Sequence, residues 1–321
     1  MFQDYKIAYL RNHVRIREAQ RLSFLRQSVA HVLSSSAREI PHAALVTDFD
    51  VTPLVEYARD SHAAARGEKL DHASLLKRAI RRNFSAFFIK CVAHSLHHVP
   101  TVNGFLDYSP WRNGGTMYVA DDINLSFTVH TRHGVIKPIV RNPHQKTLEQ
   151  VAQEMRDLSR RARKTDPDEL YYRAAKQYLA YAVKELNLTS LKSLWILLRA
   201  MIAGQRKTDP ALKDVPEEQR LQVSDILGAT CTVANVGMML PGHQTVTVII
   251  PPEVFMLGIG NLHLAPRVVD GEVRPRYVIS VVGTIDHRAF DGGEVFPLAQ
   301  HIRRYVDNPA LLYEWRPGDP V

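Results

Sequence analysis

One histidine in this chain stands where proton-transfer chemistry would want it. The run Val278-Ile279-Ser280-Val281-Val282-Gly283-Thr284-Ile285 reads as a buried strand, and it leads into Asp286-His287-Arg288-Ala289-Phe290-Asp291-Gly292-Gly293. A histidine at a strand-to-helix junction has its ring held by both flanking elements. An imidazole titrates near about pH 6.5, so it can take and return a proton at neutral pH. Asp291, four residues on, is close enough to organise the loop, with Arg288 as an intermediary. Gly292 permits backbone geometry that a Cβ would forbid. The same residues also fit a plain loop histidine followed by an aspartate that caps the next helix.

Other reactive side chains make weaker patterns. His97-His98 precedes Pro100, and His130 and His133 flank a turn, but neither pair has a third ligand at metal-binding spacing, so no metal is expected. The cysteines Cys91 and Cys231 each sit in an apolar segment outside any Cys-x-x-Cys pair, which reads as two buried, reduced thiols. The basic runs around Arg78-Arg81-Arg82 and Arg160-Arg161-Arg163-Lys164 lack interleaved aromatics and read as solvated helix faces, with no nucleic-acid role.

The elements that position His287 alternate between the two periods. Residues 18–36 carry Leu22, Leu25, Val29 and Leu33 on one helical stripe, 43–51 alternates as a strand, and 73–98 keeps helical spacing up to Pro100. Residues 123–131 and 135–140 are β-rich runs turned by Gly134. Thr147-Leu148-Glu149-Gln150 is a capping box that opens a further helix. Residues 166–218 are helical in character, bounded by Asp166-Pro167 and Asp209-Pro210, and predict a hairpin of two helices over 168–186 and 189–204. Strand signals then return at 228–236, 245–250, 254–259 and 276–285, before a last helix over 292–306. The pattern predicts one α/β sheet domain over 19–321, interrupted by a helical insertion at 166–218 and preceded by a basic arm at 1–18.

Composition narrows the class. The 321 residues are 45% hydrophobic and 23% charged, proportions that exclude a disordered chain, a collagen-like repeat or a disulfide scaffold. Lys and Arg number 41 against 33 Asp and Glu, a formal charge of +8 that favours anionic partners such as a phosphate-bearing substrate or an acidic carrier. The first 26 residues are broken up by charges, and no stretch reaches the roughly 20 apolar residues of a membrane span. The expectation is a cytoplasmic protein without a membrane partner.

Asp-His-Arg-x-x-Asp-Gly at a strand's end resembles the signature of the dihydrolipoamide acyltransferase catalytic domain of 2-oxo acid dehydrogenase complexes, which shares the chloramphenicol acetyltransferase fold. The likeness extends to Leu22-Ser23-x-x-Arg26, Glu39-Ile40-Pro41-His42, Asn124-Leu125-Ser126, Gly134-Val135-Ile136-Lys137-Pro138, Thr232-Val233-Ala234-Asn235-Val236-Gly237 and Val268-Val269-Asp270-Gly271-Glu272. It covers about residues 19–312 apart from the insertion. The resemblance implies a two-layer α/β fold, a mixed sheet with flanking helices. It also implies a homotrimer with active sites at subunit boundaries, and acyl transfer between coenzyme A or a lipoyl thioester and a thiol. His287 would be the base, Asp291 the supporting carboxylate and Arg26 its ionic partner, with Arg288 and Gly292 shaping the loop.

Four departures qualify that expectation. The family's oxyanion-donating serine falls on Ala234, and Thr232, two positions earlier and so on the same strand face, is the candidate to replace it. No lipoyl or subunit-binding segment precedes the catalytic part, which implies a stand-alone unit whose lipoyl group arrives on another polypeptide. The insertion replaces a short connection. The tail Leu311-Leu312-Tyr313-Glu314-Trp315-Arg316-Pro317 departs from the usual apolar anchor and favours a free trimer over a large cage. Two rival readings stay open: a catalytically impaired trimeric scaffold, and an acyltransferase that uses a hydroxyl or amine acceptor.

Overall fold

The computed structural model describes residues 2–66, 81–109, 113–185, 198, 201–202, 209–235 and 246–321. A six-stranded sheet forms its centre, built from β1 (His42–Asp50), β4 (Asn124–Phe127), β7 (Ile139–Arg141), β8 (Cys231–Asn235), β9 (Phe255–Val269) and β10 (Glu272–Asp286). The order is β1-β10-β9-β8-β4-β7. The pairs β9–β8 and β8–β4 are parallel and the others antiparallel, so the sheet is mixed.

Two faces follow from the register. Ser126, Thr232, Met256, Thr284 and Ala44 stand opposite one another across five strands and so share one face. The alternate residues, among them Leu125, Val233, Phe255, Leu257 and Ile285, point the other way into the main core. Helices α4 (Arg81–His98), α5 (Leu148–Arg163) and α8 (Gly292–Asp307) supply the facing wall of that core. Helix α4 is buried on most of its circumference from Ala86 to Leu96, which explains its nearly continuous apolar run. Cys91 and Cys231 lie in the same core, both fully buried and unpaired.

Several boundaries move from the sequence expectation for identifiable reasons. Helix α2 (Phe24–Glu39) starts later than residue 18, because Ser23 caps it by accepting from the Arg26 amide at 3.3 Å. The capping box at Thr147 forms in both directions and starts α5 where the spacing predicts. Each β-run near 123–140 splits in two. Strands β4 and β7 pair in the main sheet, while β5 (Val129–Thr131) and β6 (Gly134–Ile136) leave it as a separate ribbon. Residues 246–250 form no strand and cross the sheet face as extended chain tied by side chains. Ser36 Oγ donates to the Ile249 carbonyl, the His42 ring accepts from the Ile249 amide, and the Thr247 and Thr284 hydroxyls lie 3.1 Å apart.

Strands β9 and β10 run fifteen residues each, longer than expected, because Asp270 and Gly271 (φ +54° and +83°) close a tight two-residue turn between them. Helix α3 (Thr52–Arg66) and the hairpin of β2 (Gly104–Ser109) and β3 (Gly114–Val119) were not foreseen at all. Helix α1 (Phe2–His13) spans much of the N-terminal arm.

Within the expected insertion, α6 (Pro167–Glu185) forms as predicted. The second helix expected over 189–204 lies outside the described residues apart from helical positions 198, 201 and 202, and residues 73–80 of the predicted 73–98 helix lie outside them too. Asp166 clasps the two ends of the expected insertion. One carboxylate oxygen caps α6 through the amides of Asp168 and Glu169, and the other accepts from the Asp209 amide, 43 residues on, at 3.0 Å. No helix among the described residues is long and apolar enough to cross a membrane.

Candidate active site

The loop after β10 is fixed from three sides. The Asp286 amide donates to the Val254 carbonyl (2.9 Å), the His287 amide to the Pro41 carbonyl (3.1 Å) and the Ala289 amide back to Asp286 (3.0 Å). The Asp286 carboxylate is buried and binds Arg288 through its amide, Nε and Nη2 at 2.6–3.2 Å. The Arg288 guanidinium also lies over the Tyr108 ring of β2, 5.2 Å from its centroid. Arg288 therefore serves Asp286, not Asp291 as expected. Adjacency in the motif was the sequence signal for Asp286, and its role needed the strand to show that its side chain turns inward.

His287 itself reaches solvent, with 46% of its side chain exposed. Its Nδ1 lies 3.1 Å from an Asp291 carboxylate oxygen. That carboxylate favours the tautomer with hydrogen on Nδ1 and leaves Nε2 as the free basic nitrogen. Asp291 also precedes α8, and its amide is held by the Glu294 carboxylate at 2.6 Å. His287 and Asp291 are thus brought together, as expected. Arg26 is not: it is exposed on α2, and among the described residues no ion pair links it to Asp291.

Thr232 has another partner set. It is fully buried, its hydroxyl donates to Glu253 at 2.7 Å, and it receives from Lys137 at 3.3 Å while standing 2.7 Å from Ser126 Oγ. A hydroxyl has one hydrogen, and here Glu253 takes it, so Thr232 is not the spare oxyanion donor that its strand face suggests. Burial pushes the Glu253 carboxyl up, against the opposing pull of Lys137 3.7 Å away. Ala234 follows on the same strand face, packed among Ile40, Ile249 and Met256. Ile40 in that cluster adjoins Pro41, whose carbonyl accepts from the His287 amide.

An apolar cavity of about 170 Å³ opens beside His287, between β1, β10 and β9 on one side and α8 on the other. The remaining titratable cluster, Lys90, His94, His97, His98, His144 and His301, lies on α4, α8 and the 143–145 turn. No group of three or more metal-ligating side chains among the described residues is arranged to hold an ion.

Comparison with known proteins decides the family. The chain matches 2-oxoacid dehydrogenases acyltransferase (catalytic domain) over residues 15–170 and 210–314. It belongs to that family. Residues 171–209, between the matched stretches, fall inside the insertion read from the sequence.

Among curated relatives, the dihydrolipoyllysine-residue acetyltransferase component of the pyruvate dehydrogenase complex from Staphylococcus aureus is 23% identical over 295 residues. That alignment takes in 91% of this chain and 52% of the relative, so the chain spans about half the relative's length. Solved structures give the same fold. The dihydrolipoamide acetyltransferase of Azotobacter vinelandii aligns with a TM-score of 0.62 at 20% identity, covering 94% of this chain and 95% of that one. A probable dihydrolipoamide acetyltransferase from Listeria monocytogenes aligns at 0.58 and 21%, covering 90% and 94%. The mixed sheet with flanking helices is the architecture that the sequence motifs implied.

Proposed function

We propose that the protein transfers an acyl group between coenzyme A, or a lipoyl thioester, and a thiol acceptor, with His287 as general base. The observation that carries this reading is the His287–Asp291 pair at the end of β10, which occupies Nδ1 and leaves Nε2 open on an exposed ring. Nε2 takes the proton of the incoming thiol as its sulfur attacks the thioester carbonyl. The tetrahedral oxyanion then collapses, and the departing thiolate recovers the proton from the imidazolium. The Azotobacter structure was solved to probe the catalytic role of a serine, a histidine and an asparagine, the last two four residues apart, as His287 and Asp291 are.

Coenzyme A enters as a substrate. A lipoyl group would arrive on a carrier domain, and the surplus of 41 basic over 33 acidic residues suits an acidic carrier or a phosphate-bearing substrate. A trimer with its sites at subunit boundaries and a cytoplasmic location belong to the same reading. The tail supports a free trimer over a cage, since Leu312 and Trp315 are buried within their own chain. The match that stops at 170 and resumes at 210 supports 166–218 as an insertion into the catalytic domain.

The test is acyl exchange between acyl-coenzyme A and free dihydrolipoamide. His287→Ala is expected to lower the rate by about 10²–10⁴-fold; equal rates in wild type and variant would overturn the reading. Ala234 favours one competing account, a trimeric scaffold whose chemistry has decayed, and that equal-rate outcome is what it predicts.

A further inference from the structure

The cavity beside His287 has no role in moving a proton, and its walls suit only one kind of occupant. Phe49, Leu257, Val281, Ile285, Leu298 and Ile302 line it, with His287 at the mouth and, among the described residues, no Asp, Glu, Lys or Arg in its walls. Gly283 leaves its floor open. A Cβ there would meet only the Phe255 ring, at 3.5 and 4.0 Å, so the missing side chain makes room without relieving a clash. The rim is apolar too, with Leu45 43% and Phe296 58% exposed. A dry cavity of ~150 Å³ lined by Leu, Ile and Phe holds a benzene-sized molecule. At about 170 Å³, this one is far larger than the methyl group of an acetyl thioester needs.

We infer that this cavity receives the aliphatic tail of the acyl group, so that the substrate class is a thioester with an acyl chain of about six carbons and not acetyl. The inference rests on the acyl-transfer reading above and names the substrate of that same site. The carbonyl stays at the mouth with His287, while the chain lies between the strand face of β10 and helix α8. Gly283 and Ala299 set the depth and act as specificity-determining residues.

Two series of ligands test this on the full chain. Acetyl-, butyryl-, hexanoyl- and decanoyl-coenzyme A are compared as donors to dihydrolipoamide, and ethyl- and hexyl-coenzyme A thioethers, which cannot transfer, are compared by calorimetry. Burying each methylene is worth about fourfold, so hexanoyl is expected to exceed acetyl in kcat/KM by on the order of 100-fold, with hexyl thioether binding tighter than ethyl by a similar factor. Gly283→Val and Ala299→Leu, both compatible with their strand and helix, should lower the hexanoyl-to-acetyl ratio of kcat/KM by about tenfold or more.

Acetyl turnover with a flat ladder, or variants that lower every donor equally, would overturn the cavity assignment and leave the reaction standing. Absence of turnover with the thioether ladder intact would overturn the reaction and leave the cavity assignment standing. A flat thioether ladder without turnover would end both.

Discussion

Removing the Arg288 guanidinium would leave the Asp286 carboxylate, 2% exposed, without the cation that binds it in two places. Breaking a buried pair from one side typically costs about 3–5 kcal/mol, so Arg288→Ala should lose stability on that scale in urea unfolding. Arg288→Lys should recover little of it, because an ammonium cannot reproduce the planar fork. Ala234 invites the opposite experiment. Loss of an oxyanion donor costs on the order of 10²–10³ in rate, so Ala234→Ser is expected to raise kcat by about tenfold or more while KM moves little. The buried hydroxyl should lower stability by about 1–3 kcal/mol if it leaves its hydrogen unpaired. An unchanged kcat would show that the carbonyl oxygen lies elsewhere.

At the scale of elements, the Asp166 clasp carries a separate prediction. Asp166→Ala removes a cap from α6 and the tie to Asp209, and should cost about 1–3 kcal/mol. Amide exchange at Asp168, Glu169 and Asp209 should quicken in the variant while acyl exchange persists; unchanged protection would deny the clasp. The Asp-Pro boundaries were legible because both residues punctuate helices, but a carboxylate bridging 43 residues is a tertiary fact that no local pattern contains.

The same division runs through the fold. Helices α2, α5 and α8 announce themselves by caps and stripes, and β10 by its buried run. The β2–β3 hairpin is glycine-bearing and half-exposed, with neither period to mark it. Residues 246–250 alternate like a strand, yet their partners are side chains, so the pattern predicts burial correctly and pairing wrongly. At the site, His287, Asp291 and Ala234 were visible in one motif each. Thr232's engagement with Glu253 was not, since the two are joined only by the packing of β8 beside β9.

For the whole molecule, the histidine cluster between α4, α8 and the 143–145 turn governs the response to acid. His94 is buried against Tyr305 and Trp315, 5.7 and 5.3 Å between ring centroids, and His144 stacks on His97 at 5.3 Å. Burial, helped by nearby Lys90 and the other imidazoles, pushes His94 down to about 3. Burial, with His97 and Lys90 adding to it and Asp122 opposing, takes His144 to about 4. His98 and His301 are lowered too, chiefly by burial, with Arg304 adding to both.

The folded state therefore holds these rings neutral, whereas the unfolded chain takes up protons near the ordinary value. The histidine contribution to stability is complete above about pH 6.5 and is lost as the pH drops toward about 4 and 3, by roughly 1.4 kcal/mol per unit for each such histidine, while Lys90, which burial takes down to about 7, adds a slope of the same sign above that range. Unfolding in urea at pH 7.5, 6 and 5 should show that slope, and His94→Phe, which keeps the ring contacts, should flatten it. A pH-independent midpoint in wild type would rule it out.

The placement of the two cysteines reaches beyond the core that they fill. Cys91 and Cys231 are the chain's entire complement, both 0% exposed, and burial raises both thiols away from the reactive thiolate form. A colour reagent that titrates free sulfhydryls would accordingly register liberated coenzyme and remain blind to the native polypeptide. A single cysteine engineered at the surface would be the sole target for a dye or spin label, with no need to strip the natural ones first.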